Sequence, residues 1–322
     1  MTLHVTNGSH AGDKIRRVVN APVALACDVL HEGPCPPVEG DAWHEVRAGF
    51  LAGPGHTAEE IKAGLASDDR AIADACARGD DVVLWFEHDL FDQLALIRTL
   101  DNISHAGDGT AQPRVSLVCV DRFPGVERFV GLGQLTEAQL ATLDGTGVPV
   151  TGEHHAIASA AWTEFRSADP RGLLQIPDST ALPFLHAALR RFLAEYPSAE
   201  NGLSRTEDLA LTALAGAPST AGSLFVATQA REARPFMGDS TFFDILRRLA
   251  SARVPLVTVE GWDDADPRPA RIAITGAGRE VLARRADHIR LNGIDLWRGG
   301  VHLYGADRSP WRWDAHRETL VS

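Results

Sequence analysis

The sequence predicts an α/β protein: an open, mostly parallel sheet flanked by helices, followed by a winged-helix-like domain and a Trp-rich C-terminal tail. Three observations carry that expectation. Five short apolar runs of strand character each end in polar groups before a helix or loop. Between residues 203 and 290 the pattern changes to three amphipathic helices, two strands and a helix. Trp297, Trp311 and Trp313 crowd the tail, and tryptophans gathered so closely imply burial. A chain of 322 residues exceeds one ordinary core. The boundaries read as 1–200 for the α/β domain, 201–290 for the winged-helix-like domain and 291–322 for a tail packing back on the α/β domain.

The first strand is Leu3 to Thr6. It runs into Asn7-Gly8-Ser9-His10-Ala11-Gly12 and a helix from about Asp13. Small residues there bring N–H groups to an anion at the helix's positive end, or form a plain turn capped by Asn7 or Ser9. Val23 to Ala26 is the second strand and hands over to Asp28, His31, Glu32 and a Gly33-Pro34 turn. Residues 34–56, rich in Pro and Gly, read as a long surface excursion, and Ala58 to Arg78 as one or two helices. The strongest signal follows. Val82 to Phe86 is an apolar run typical of a strand buried on both faces. It flips at once to Glu87, His88 and Asp89, and then to a helical period through Leu90, Phe91, Leu94 and Ile97.

Val115 to Val120 is a fourth strand, ending in Asp121-Arg122, with a helix over Thr136 to Leu143. Val148 to Val150 is the fifth, ending in Thr151 and His154, with a helix from about His154 to Arg166. In parallel sheets the C-terminal strand ends share one edge, so these polar ends converge. Leu182 to Tyr196 is an amphipathic helix exposing Arg190 and Arg191. After Pro197 to Gly202, the pair Ser204 and Glu207 forms a capping box. Further helices are expected over Ser223 to Ala230 and from Asp239, with strands at Leu256 to Val259 and Arg271 to Ile274.

Hydrophobic residues at 44% and charged residues at 23% describe a globular chain. No apolar run approaches the roughly 20 residues that span a bilayer, so no membrane partner is expected. The first residues lack a basic start and apolar core, which makes cytoplasmic the expected location. Cys27, Cys35, Cys76 and Cys119 show no Cys-x-x-Cys spacing and read as reduced structural thiols. Residues 1–202 hold 15 basic against 28 acidic groups, and residues 203–322 hold 16 against 15. Phosphate contacts need net positive charge, so DNA is not the favoured partner.

The motifs Leu3-His-Val-Thr-Asn-Gly8, Asp28-Val-Leu-His-Glu-Gly-Pro34 and Trp85-Phe-Glu-His-Asp-Leu-Phe-Asp-Gln-Leu94 resemble the bacterial family catalogued as domain of unknown function 1835. The likeness runs on through Asp121-Arg-Phe-Pro-Gly125, Gly202-Leu-Ser-Arg-Thr-Glu207 and Asn292-Gly-Ile-Asp295. It departs near Ser9, where the family pattern has an acidic residue. The resemblance implies that these motifs belong together, and it brings no activity with it.

The expected site mixes carboxylates and imidazoles. His31, Glu32, Glu87, His88 and Asp89 are the candidate catalytic groups. Thr6, Asn7, Gly8, Ser9, Asp28, Asp121 and Arg122 are the candidate substrate-binding ones. Two chemistries fit. A divalent metal on Glu87, His88 and Asp89 suits oxygen ligands with an added imidazole. Without metal, crowded acids raise one another's pKa and leave a His/Glu pair for acid–base work. Asp92, on the following helix, reads as a cap or a surface ion pair. No Gly-x-Ser-x-Gly elbow occurs, and no cysteine stands beside a clear base, which disfavours triad chemistry. The expectation is a hydrolase or transferase acting on a small anionic or nucleotide-like molecule. The alternatives are a ligand-sensing regulator that reads DNA through its winged helix, or a ligand-binding protein without turnover. A homodimer is compatible with any of the three.

Overall fold

In a computed structural model, residues 1–53, 55–106, 113–305 and 311–322 are described. They form two compact units. Met1–Leu189 with Gly299–Val301 makes the first, and Arg190–Arg298 with His302–Ser322 the second. The tail is thus divided between the two units.

The first unit is built on a five-stranded sheet. Its strands are β1 (Thr2–Thr6), β2 (Val23–Leu25), β4 (Asp81–Glu87), β5 (Val115–Val120) and β6 (Val148–Pro149), in the order β2-β1-β4-β5-β6. A short strand β3 (Gly33–Pro34) lies outside this sheet. Pairing is parallel from β2 to β5, with Thr6 opposite Trp85 and Glu87 opposite Val120. β4 is central, which explains its unbroken apolar run: Val82, Leu84, Trp85 and Phe86 have no exposed surface.

The last strand departs from the expectation. β6 pairs antiparallel with β5, Leu117 opposite Val148. A strand that runs backwards delivers its C-terminal end to the opposite edge of the sheet, so Thr151 and His154 leave the expected cluster. There they cap the next helix, Thr151 Oγ1 lying 2.9 Å from His154 Nδ1.

Helix α1 (Ser9–Val19) packs with α5 (Glu137–Ala141) over a core of Ile15, Trp85, Val118, Leu132 and Leu140. The chain steps from β1 out to β2 and then returns past β1 to β4. Right-handed crossovers therefore place α1 and α3 (Ala58–Ala77) on opposite faces. α4 (Leu90–His105) follows β4, and α6 (Gly152–Phe165) packs on α4.

The surface excursion expected over residues 34–56 is instead largely a helix, α2 (Gly40–Leu51). Its Trp43, Arg47 and Ala48 are buried. Pro and Gly cluster only at its two ends, and an arginine on the inward face hides the apolar period. Arg47 has no exposed surface and holds Asp28 at 2.6 Å. It also donates to the carbonyls of Val29, Glu32 and Pro34. One guanidinium thereby closes the whole Asp28–Pro34 loop.

Helix α7 (Leu185–Leu193) crosses the division between the units. Its Arg191 is not on an exposed basic face: its side chain is largely buried, pairing with Glu195 at 2.7 Å and Glu232 at 2.8 Å. The second unit continues with α8 (Arg205–Leu214), capped by the expected Ser204/Glu207 box. Then come β7 (Ser219–Thr220), α9 (Ala221–Gln229), α10 (Asp239–Ser251), β8 (Val257–Glu260) and β9 (Arg271–Ile274). The strands form a sheet in the order β7-β9-β8. α11 (Gly276–Leu282) and α12 (His288–Asn292) lead to β10 (Ile294–Gly299), β11 (Val301–Gly305), β12 (Arg312–Asp314) and β13 (Thr319–Val321). All four cysteines are free thiols. Cys27 is exposed just after β2, and Cys35 and Cys76 are buried.

Candidate active site

β1 is flanked by β2 on one side and β4 on the other, so the connections diverge from it and a crevice opens between the C-terminal ends of β1 and β4. Three carboxylates meet there. Glu87 ends β4, Asp89 is the N-cap of α4, and Asp92 lies in its first turn. Each offers an oxygen within 4.8 Å of the others, and all three are buried. The strand delivers Glu87, and the helix start delivers Asp89 and Asp92 three residues apart on one face.

The cluster is held by its own backbone. Asp89 Oδ1 accepts from the Asp92 N–H at 3.0 Å, and Asp92 Oδ1 accepts from the Glu87 N–H at 2.9 Å. From β1, Asn7 Nδ2 donates to Asp92 Oδ2 across the crevice. From the far side, the Leu132 N–H donates to Glu87 Oε1. Gly131, at φ 155°, is needed for this clamp, because a Cβ there would run into the Glu87 carboxylate. Burial, followed by the Asp89 charge, pushes Glu87 up to about 8. Burial and then the Glu87 and Asp89 charges push Asp92 well above the usual carboxylate range. Three buried acids in one place must hold protons or share a cation. An all-oxygen set of this kind suits Mg²⁺ or Mn²⁺.

The expected metal trio of Glu87, His88 and Asp89 is therefore rearranged. Asp92 stands where His88 was expected. His88 is buried against the rings of Phe129, centroids 5.9 Å apart, and Phe184, 6.2 Å apart. The sequence reading missed Asp92 because an acid three residues after an N-cap is ordinarily a surface feature. At 2% exposure it is not one here. The signal was present in the apolar neighbours Leu90, Leu94 and Leu96, which leave no solvated face for that turn.

Gly8, at φ 75°, occupies a conformation natural to glycine and lets α1 begin at Ser9, four residues earlier than expected. No side chain caps α1 among the described residues, and its first turn carries no acid. Its leading N–H groups thus stand at the same crevice mouth as Asn7. Thr6 is buried on the strand, while Ser9 is exposed. Asp121 and Arg122 pair with each other at 2.9 Å at the end of β5, with the Arg122 side chain 85% exposed. Arg122 holds Asp121 below the usual range. Asp28 is taken up by Arg47 and serves the loop rather than a ligand. His31 and Glu32 sit in that same loop, both buried, with the His31 ring edge-on to Phe91 of α4 at 5.8 Å.

No protein-family model matches the chain, and no curated protein matches it. Among solved structures, the topoisomerase II DNA-binding, cleavage and re-ligation domain of Plasmodium falciparum is similar, at 10% identity and a TM-score of 0.48. The similarity covers 87% of this chain and 48% of that one, so the chain spans about half the length of that structure. So distant a likeness carries nothing about activity.

Proposed function

We propose that the first unit is a divalent-cation-dependent enzyme of the hydrolase or transferase type, acting on a small phosphate- or carboxylate-bearing molecule at the β1/β4 crevice. The observation that carries this reading is the buried trio of Glu87, Asp89 and Asp92, with oxygens within 4.8 Å of one another. Bound there, a divalent cation would supply the positive charge that polarises a phosphoryl or carbonyl oxygen. The chain's own residues do the rest. Asn7 and the Leu132 N–H fix two of the three carboxylates. The uncapped start of α1 receives the anionic group, and Arg122 at the rim adds a cation that Asp121 can release to a substrate. His31, edge-on to Phe91 of α4, stays with the reading as the imidazole for proton transfer.

The test is calorimetric titration of the full chain with Mn²⁺ and Mg²⁺, beside hydrolysis of generic phosphomonoesters and diesters. We expect near-stoichiometric binding that Asp92→Asn abolishes, and activity that vanishes with it. Absence of binding in the parent protein, or activity unchanged in Glu87→Gln/Asp92→Asn, would sink the reading.

A second reading has support of its own. Helices α8, α9 and α10 with the β7-β9-β8 sheet suit a winged helix, which would make the protein a ligand-responsive DNA reader. The third helix is poorly equipped for it. Arg247 is held by Asp264 at 2.6 Å and stacks on Trp262. In the tail, Trp297 stacks on His302 with centroids 4.6 Å apart, and Trp313 is buried on β12. This is the behaviour of a folded segment. A cytoplasmic bacterial protein of the domain-of-unknown-function 1835 type remains the reading of its source. No helix among the described residues is long and apolar enough to cross a membrane.

A further inference from the structure

The second unit contains a cavity of about 450 Å³, within the ~300–1,000 Å³ range of small-molecule sites. Its wall combines groups of both charge signs with aliphatic side chains. Glu195 lines it and is only 4% exposed. Its Oε1 is saturated by Arg191 and by the N–H and hydroxyl of Thr206. Its Oε2 is buried and accepts no hydrogen bond. Burial pushes this carboxyl up, but the charges of Arg191 and Arg298 outweigh that and hold it below the usual range, so it is an anion. An anionic oxygen without a donor, buried in a cavity wall, calls for a donor from the cavity.

The wall also carries Glu207, Asp295, Arg248 and Arg298. Glu207 is 8% exposed, and one of its oxygens caps α8 through the Ser204 N–H at 2.8 Å. Arg248 of α10 is half-buried and forms no ion pair among the described residues. The aliphatic part comes from Leu249, Ile289 and Leu303, each almost wholly buried.

We propose that this cavity binds a free amino acid with an apolar side chain. The ammonium group donates to Glu195 Oε2 and Glu207, the carboxylate pairs with Arg248, and the side chain lies along the aliphatic wall. A zwitterion fits this wall better than an amine or an acid alone, since an amine leaves Arg248 without an anion and an acid leaves Glu195 Oε2 without a donor.

The experiment is titration of the 322-residue chain, followed by calorimetry and thermal shift, with leucine, valine, methionine and phenylalanine. 3-Methylbutylamine and 4-methylpentanoate serve as the forms of leucine lacking one charge each. At least one amino acid should bind, with both single-charge analogues at least ~10-fold weaker. Glu207→Gln should weaken binding by roughly 30-fold, as expected for removing one member of a buried charge pair. It keeps the cap, because glutamine serves equally in a capping box. Arg248→Gln, at a half-buried position with no ion pair among the described residues, should weaken it roughly 10-fold. A cavity holding only water would show no shift with any of the four amino acids, and that result would overturn the proposal. So would an amine or acid binding as tightly as its parent, or affinity unchanged in both variants.

Discussion

At the residue scale the decisive fact is that three acids share a buried site. Glu87 shows the consequence most directly. Its carboxyl is raised from 4.5 to about 8 in the folded chain, so between those values the folded state keeps a proton that the unfolded state has lost. Stability from this group is therefore complete below about pH 4.5 and is lost as pH rises through 8. We expect metal-free protein to lose a few kcal/mol over that window, measured by urea unfolding, and Glu87→Gln to flatten the slope. Saturating Mn²⁺ should reverse the loss, because the cation replaces the protons that burial would otherwise demand. Gly131→Ala tests the same site from outside. Its methyl group would displace the Glu87 carboxylate, so cation affinity should fall about 10-fold or more while helix content is kept.

At the scale of elements, the loop between β2 and α2 depends on a single side chain. Arg47→Ala would leave Asp28 charged, buried and unmatched, and would strip several carbonyls of their donor. A loss of about 3–5 kcal/mol in unfolding free energy is expected, and Arg47→Lys should recover only part of it, since an ammonium cannot reproduce the fork. This is also where the sequence was hardest to read. β4, α4 and the Ser204 cap announce themselves, because apolar period and capping pattern are local properties. α2 does not, because Arg47 faces inward only by virtue of a partner 19 residues away. Asp92 and the antiparallel β6 escaped for the same reason. A buried acid and a strand direction are both decided by what lies across from them. The neighbours within the segment do not decide them.

At the scale of the whole molecule, charge separates the competing functions. The acidic surplus lies in residues 1–202, and the remainder is nearly neutral, with 16 basic against 15 acidic groups. Counterion release needs clustered cations, and several arginines of the second unit are already engaged, among them Arg191 with Glu232, Arg247 with Asp264 and Arg312 with Asp287. We expect no retention of duplex DNA at 0.15 M salt in a gel-shift or fluorescence-anisotropy assay. Retention that weakens steeply with added salt would move the balance to the regulator.

The distribution of thiols gives the molecule a built-in reporter. Cys27 is exposed just after β2, next to Ala26, whose N–H donates to the Thr6 carbonyl at the end of β1, whereas Cys35 and Cys76 are sealed inside. A chromogenic disulfide reagent should therefore label Cys27 well before those two. The rate of that first reaction then becomes a gauge of the crevice: an anion settling at the start of α1 would slow the labelling, so ligands can be screened by colour before any substrate is known.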